Sequence, residues 1–250
     1  ILATLYAAYN MISAKMKPSI APEPETMGDM EPLTKSQVYS GLSIVFLIFV
    51  VLGGIWGGLF TATEAAGMGA LFAMVIAYFK GLTLRQLGEC TLDAGKTSAP
   101  IMILLIAAGM YSKFLSLADI HGIIVTALQS IGLEGLWVLI FMAIIWLVLG
   151  MLLDSISIIL LTVPLFITLS SGMDPYAFAI FGILAIEAGL LTPPFGLIVY
   201  TVKGVLAGSG DDVALKEIFA GSIPYWIMML FVMILIVIFP QIASWLTNFV

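Results

Sequence analysis

The chain has 250 residues, of which 62% are hydrophobic and only 10% charged, with a formal net charge of -6 and a mean hydropathy of +1.17. A soluble domain carries roughly 25% charged residues, so the composition excludes one and describes an all-α integral membrane protein. The lone cysteine, Cys90, excludes an internal disulfide and a cysteine-based metal cluster, and no basic patch points to nucleic acid.

The first segment, "ILATLYAAYNMISAKM", is apolar from its first residue and lacks the layout of a signal peptide. It is expected to be the end of a helix, in a chain that is part of a longer protein. Residues 1–35 then comprise that helix end and a connecting loop, because "KPSIAPEPETMGDMEP" is dense in proline and acidic residues. Residues 36–79 hold two scaffold helices of full membrane-crossing length, about 20 residues each. The second begins with Thr61 or Thr63 as N-cap and with Glu64 in its first turn, where a carboxylate suits the helix dipole.

From residue 80 onward the chain is expected to form a transport-type region. A polar stretch over 80–96 precedes a shorter apolar segment, 97–117. "IHGIIVTALQSIGLEG" is too short and mixed to span and is expected to be interfacial or partly buried. Its His121, a lone histidine expected in a loop, is assigned no chemistry.

Residues 136–169 form one apolar run interrupted by "GMLLDSIS". A straight helix of that length would measure about 50 Å against a hydrocarbon core of roughly 30 Å. A re-entrant hairpin of two half-length helices fits better, with Gly150 at the turn and Asp154, Ser155 and Ser157 starting the returning arm. The apolar run 175–206 is broken in turn at "GLLTPP" and is read as a discontinuous transmembrane helix. A final helix is expected over about 222–247, with Tyr225 and Trp226 near one end and Trp245 near the other as an aromatic belt. With this layout eight of the nine basic residues fall on one side, which marks it cytoplasmic and places the C-terminus in the periplasm.

At the second break, Pro193 and Pro194 lack the N–H that would bond the carbonyls of Gly189 and Leu190, so two main-chain oxygens are expected to be released. Thr192 is expected to cap a new helix starting at Pro193, with Gly189 ending the preceding half. Unwound backbone at membrane depth forms ion and substrate sites in secondary transporters; a simple proline kink is the alternative. Asp154 has two open roles, coordination of a cation and capping of the returning arm, because a carboxyl at membrane depth needs a partner or a wet cavity. Glu187 has several: protonated, paired outside the chain, or facing a cavity in an ion path. No nucleotide-binding, zinc-protease or serine-hydrolase motif is present in the sequence.

"GLFTATEAAGMGALFAMVIAYFKG", "LGMLLDSISIILLTVPLF" and "GLLTPPFGLIVYTVKG", in this order, resemble successive motifs of the large membrane subunit of tripartite ATP-independent periplasmic (TRAP) transporters. The resemblance covers nearly the whole chain and implies its C-terminal portion: one of the two inverted repeats of an elevator fold like that of the ion transporter superfamily. It further implies a bacterial inner-membrane permease that imports small organic anions with Na⁺ as coupling ion. Expected partners are a small membrane subunit (Q type), a periplasmic substrate-binding protein (P type), the N-terminal half of the same subunit and membrane lipids. Carried onto this sequence, the family's cation site falls on Gly150, Asp154 and Ser155 at the hairpin tip and on Gly189, Thr192 and Pro193 at the broken helix. Ser157, Pro194 and Gly196 are placed near the substrate. The chain departs from the family pattern at Ala185, where Asn is common. A stand-alone dicarboxylate/Na⁺ symporter, an intramembrane enzyme using Asp154 and Glu187 as an acid pair, and a purely structural subunit are the rival readings.

Overall fold

The computed structural model describes residues 1–18, 34–132, 135–170, 172–208 and 213–245. The acidic, proline-rich loop expected over 19–33 lies outside the described residues, as do positions 246 and 247 of the expected last helix. The elements are all helices: α1 (Leu2–Met16), α2 (Lys35–Trp56), α3 (Ala62–Phe79), α4 (Leu84–Leu117), α5 (Ile120–Ser130), α6 (Leu136–Gly150), α7 (Ser155–Leu169), α8 (Pro175–Leu191), α9 (Leu197–Gly208), α10 (Leu215–Ile238) and α11 (Gln241–Ser244). Four of them, α2 from Gln37, α3, α4 and α10, are long and apolar enough to cross a membrane. The chain groups into two compact units, residues 17–99 with 246–250, and residues 1–16 with 100–245.

In the unit of residues 17–99, α2 and α3 lie side by side. Gly69 permits the approach, because a methyl there would lie 2.8 Å from Val51 Cγ2, and Phe46 meets Phe72 edge to face at 5.7 Å. The start of α3 is fixed by Thr61: its hydroxyl accepts from the Glu64 amide while the Glu64 carboxyl accepts from the Thr61 amide. This reciprocal cap satisfies two donors that a helix start leaves open. It also gives Glu64 a structural role at that helix start.

The polar stretch expected over 80–96 is instead the first half of α4, which runs unbroken through Pro100. A second reciprocal cap starts it: the Gln86 main-chain amide donates to the Thr83 hydroxyl, and the Thr83 main-chain amide to Gln86 Oε1. Arg85 pairs with Glu89, and Lys96 with Asp93, along its solvated surface. Polar character there reflects an exposed helix face, which periodicity of apolar residues alone does not reveal. His121, expected in a loop, belongs to α5.

In the unit of residues 1–16 and 100–245, α8 is the central helix and packs on α6, α7, α9, α10 and α11. Apart from Tyr176 and Glu187 its side chains are apolar, and ten of its residues are buried, Ala185 completely. Asp174 caps it through the Ala177 amide, with Pro175 in the first turn, where a missing N–H costs nothing. Trp146 of α6 stands at the heart of this core, 1% exposed. Its ring meets Phe166 and Phe181 edge to face, its indole N–H donates to the Thr162 hydroxyl, and that hydroxyl donates to the Ile158 carbonyl. A methyl on Gly182 would lie 2.9 Å from the Trp146 ring, so that glycine lets α6 and α8 close on one another.

The helix expected over about 222–247 begins at Leu215 as α10, runs through Pro224 and ends at Ile238, with α11 following. Trp226 therefore sits inside α10 against the core, not at a membrane-facing end. Tyr225 packs edge to face with Tyr6 and Tyr9 of α1 and donates its hydroxyl to Asn10 Oδ1. These two residues tie elements of the same unit together, where an aromatic belt was expected.

Candidate functional site: two helix breaks meeting at a glycine pair

The run 136–169 consists of α6 and α7, joined by residues 151–154. Each helix has 15 residues, about 22 Å at 1.5 Å per residue and shorter than a roughly 30 Å hydrocarbon core. The run 175–206 is broken between Leu191 and Leu197, and the Pro193–Pro194 peptide is cis.

The two breaks are brought together by Gly150 and Gly189. A methyl on Gly150 would lie 2.7 Å from the Ile186 carbonyl oxygen and 2.8 Å from Gly189 Cα. One on Gly189 would lie 2.7 Å from the Leu147 oxygen and 2.8 Å from Gly150 Cα. Backbone meets backbone here, so only glycine fits on either side. The C-terminal ends of α6 and α8 thus approach one another, and each carries the negative end of a helix dipole.

The remaining expected residues fall into three groups. Asp154 is the N-cap of α7: its carboxyl accepts from the Ser157 amide at 3.0 Å and from the Ser157 hydroxyl. Ser155 turns the other way and donates to Glu187 Oε1 of α8 at 2.8 Å. Thr192 ends α8 as its C-cap, its hydroxyl donating to the Ala188 carbonyl at 2.7 Å and accepting from the Trp226 indole of α10 at 3.0 Å. The carboxyls of Asp154 and Glu187 thus bind different hydroxyls, which is not the arrangement of a proton-sharing acid pair.

Three local expectations at the second break are corrected. Thr192 does not cap a helix starting at Pro193: α9 starts at Leu197, preceded by Gly196 at φ +24. The Val199 and Gly196 amides donate to the Gly196 and Thr192 carbonyls, respectively. The turn residues before α9 and the positive φ of Gly196 replace the straight continuation that a proline at the first helical position presumes. Gly189 does not end the first half either, because α8 continues to Leu191 while Gly189 packs on Gly150. The Gly189 carbonyl is not released, since the Thr192 amide turns back to it at 2.9 Å. The open oxygens lie one step on. Leu190 O has only prolines at the three- and four-residue positions that would donate to it, and among the described residues no donor reaches Leu190 O or Leu191 O.

Pro193 and Pro194 are exposed between the two half-helices, and Gly196 is buried. A shallow depression of about 410 Å³ joins the breaks, lined by Met151 and Leu152 from the first and Phe195, Leu197 and Tyr200 from the second. Ser157, Pro194 and Gly196 are not among its lining residues. Among the described residues no three His, Cys, Asp or Glu side chains converge. The polar atoms available are carbonyls, hydroxyls and single carboxyls, the hard oxygen type that main-group cations take.

Sequence reasoning missed two partners. Glu187 was noticed without its bond to Ser155, and Trp226 was assigned to the membrane surface. Both contacts join residues more than 30 positions apart, 32 for Ser155–Glu187 and 34 for Thr192–Trp226. No local pattern encodes such pairs.

Comparison with known proteins gives one family. The model described as "Tripartite ATP-independent periplasmic transporter, DctM component" matches residues 1–242. The C4-dicarboxylate TRAP transporter large permease protein of Rhodobacter capsulatus is 30% identical over 208 residues, 82% of this chain and 46% of that protein. The 2,3-diketo-L-gulonate large permease protein of Escherichia coli is 28% identical over 209 residues, 81% and 48%. The sialic acid large permease protein of Vibrio cholerae is 27% identical over 196 residues, 77% and 45%. The chain spans about half the length of these curated relatives.

Proposed function

The chain belongs to the DctM family of tripartite ATP-independent periplasmic transporters, and from that premise we propose that it forms the C-terminal repeat of a Na⁺-coupled permease in a bacterial inner membrane. The protein as a whole imports small organic anions, the class named for relatives that carry C4-dicarboxylate or sialic acid. It works with a small membrane subunit, a periplasmic substrate-binding protein and the other half of its own subunit. The two short helices α6 and α7 form a re-entrant hairpin, the second inverted repeat moves as an elevator against the scaffold, and the C-terminus lies in the periplasm.

The observation that carries this reading is the pair of open carbonyls, Leu190 and Leu191, at the end of α8, where Gly150 and Gly189 bring two helix C-termini together. Two dipole ends of the same sign and oxygens without donors favour a cation. Ser155 and Thr192 carry hydroxyl oxygens at the two breaks, and Asp154 caps the tip. An anion is drawn to a helix start. The start of α7 is occupied by Asp154; the start of α9 has no side-chain cap among the described residues, its Val199 amide being held by the Gly196 carbonyl. Na⁺ at the C-terminal ends and a substrate carboxylate at the α9 start each stabilise the closed tip, and that shared preference couples them.

The test is uptake by the complete protein, reconstituted with its two partners, as a function of Na⁺ concentration. Asp154→Asn and Thr192→Val are expected to insert normally and to lose Na⁺ dependence. Unchanged Na⁺ activation in both rejects the site. Uptake without any binding protein would favour the stand-alone symporter instead.

A further inference from the structure

We infer that Glu187 is a positioning residue: its carboxyl fixes the Ser155 hydroxyl so that the oxygen lone pairs, not the proton, face the cation site. The inference rests on the Na⁺ reading above and goes beyond it, because it gives a role to a polar residue of the central helix that no ligand set includes.

The argument starts from the hydroxyl. A serine oxygen has one proton to give and two lone pairs to offer, and a cation takes only lone pairs. A free hydroxyl rotates among three staggered positions and points its proton at the ion in some of them. Ser155 is not free in this sense: its proton is held by Glu187 Oε1 at 2.8 Å, which leaves the lone pairs on the sides of the oxygen away from that carboxyl. Ser155 is also the first residue of α7, directly after the Asp154 cap, so its backbone is held as well. Glu187 lies two residues before Gly189, whose backbone touches Gly150 at the other end of the tip. The linker 151–154 is thereby pinned to α8 on both sides, by Gly150 against Gly189 and by Ser155 against Glu187.

A glutamate is a costly way to accept one hydrogen bond on an apolar helix. Neighbouring positions of α8 are filled by Ala185, Ile186 and Ala188, all at most 1% exposed. An apolar residue at 187 would pack as well and would leave Ser155 unoriented. The acceptor is what the position requires, and outer partners of this kind hold cation ligands in register.

The experiment uses the complete reconstituted permease with Glu187→Leu, Glu187→Gln and Ser155→Ala. Two quantities are read: half-saturating Na⁺ for uptake, and the rise in melting temperature of the purified protein on adding NaCl rather than KCl. Gln keeps an acceptor oxygen and loses the charge; Leu loses both. Leu is expected to raise half-saturating Na⁺ about tenfold and to shrink the Na⁺-specific melting shift, with Gln restoring half-saturation to within about twofold of the wild type. Glu187→Leu placed in the Ser155→Ala background is expected to add nothing, because both remove the same bond.

If Gln is as impaired as Ser155→Ala, Glu187 acts through its charge and the positioning role is overturned; this comparison holds even if the Leu variant does not fold. A Leu variant with wild-type Na⁺ response overturns it too. A wild-type protein with no Na⁺-specific melting shift and no Na⁺-dependent uptake overturns the Na⁺ reading, and this inference with it. The two failures are thus distinct.

Discussion

At the break between α6 and α7 the returning helix is capped by its own chain, the Asp154 carboxyl taking the Ser157 amide and hydroxyl. At the break between α8 and α9 nothing comparable happens: Gly196 precedes α9, prolines remove two donors, and Leu190 O and Leu191 O are left open. Both breaks end a helix close to the Gly150–Gly189 contact, yet the helix that follows the first is capped by a side chain of its own loop and the helix that follows the second is not. A structural kink satisfies its freed groups locally. The side-chain cap makes the first break a built tip, and the uncapped start of α9 beside the proline-flanked Leu190 carbonyl makes the second the receptive one.

The largest expected effect is on the contact the two breaks share. Gly189→Ala puts a methyl 2.7 Å from a carbonyl oxygen and 2.8 Å from another backbone atom, and neither can swing aside as a side chain would. Overpacking of this kind costs about 1–3 kcal/mol, and backbone on both sides places the site at the upper end. Gly189→Ala and Gly150→Ala are each expected to lower the melting temperature of the detergent-purified protein and to abolish uptake. If both tolerate alanine with full uptake, the breaks do not meet as described and the comparison between them collapses.

Next is Asp154, where the cap and the charge can be separated. Asparagine is as good an N-cap as aspartate, whereas alanine costs about 0.5–2 kcal/mol. Asp154→Ala is therefore expected to lose thermal stability and Asp154→Asn to keep it, both read from the melting temperature in KCl. Equal destabilisation by Asn and Ala would mean that the carboxyl's charge, not its capping geometry, holds the first break together.

These positions also show what a sequence discloses. Asp154 as a cap, the double proline and the spans α2 and α3 were legible because they depend on local rules: N-cap chemistry, the missing proline N–H, helix length against bilayer thickness; Gly150 was placed at the turn, whereas it ends α6 and is required by the backbone of Gly189. The first half of α4 was missed although its Thr83–Gln86 cap is as local as that of Thr61–Glu64, because a polar run was set apart from the apolar segment that continues it. What was not legible at all came from chain segments far apart. Thr192 was assigned to the wrong helix end because the chain turns after Leu191 and restarts as a helix only past Gly196, which residue identities leave open. Trp226 was put at the membrane surface because nothing near it in sequence says that α8 lies beside it.

Trp226 supplies the smallest expected effect and the sharpest check on the second break. Its indole N–H donates to the Thr192 hydroxyl, which in turn donates to the Ala188 carbonyl. Trp226→Phe keeps an aromatic ring in the core and removes only the first of these bonds, worth about 0.5–1.5 kcal/mol. The Thr192 hydroxyl keeps its bond to Ala188, so α8 should stay intact and the melting temperature should fall only slightly. The consequence for a receptive break is different in kind: with its outer donor gone, Thr192 is held less firmly and half-saturating Na⁺ for uptake should rise. A kinked structural span predicts the small stability loss alone. Trp226→Phe with lowered stability and an unchanged Na⁺ response would therefore return the second break to the same class as the first.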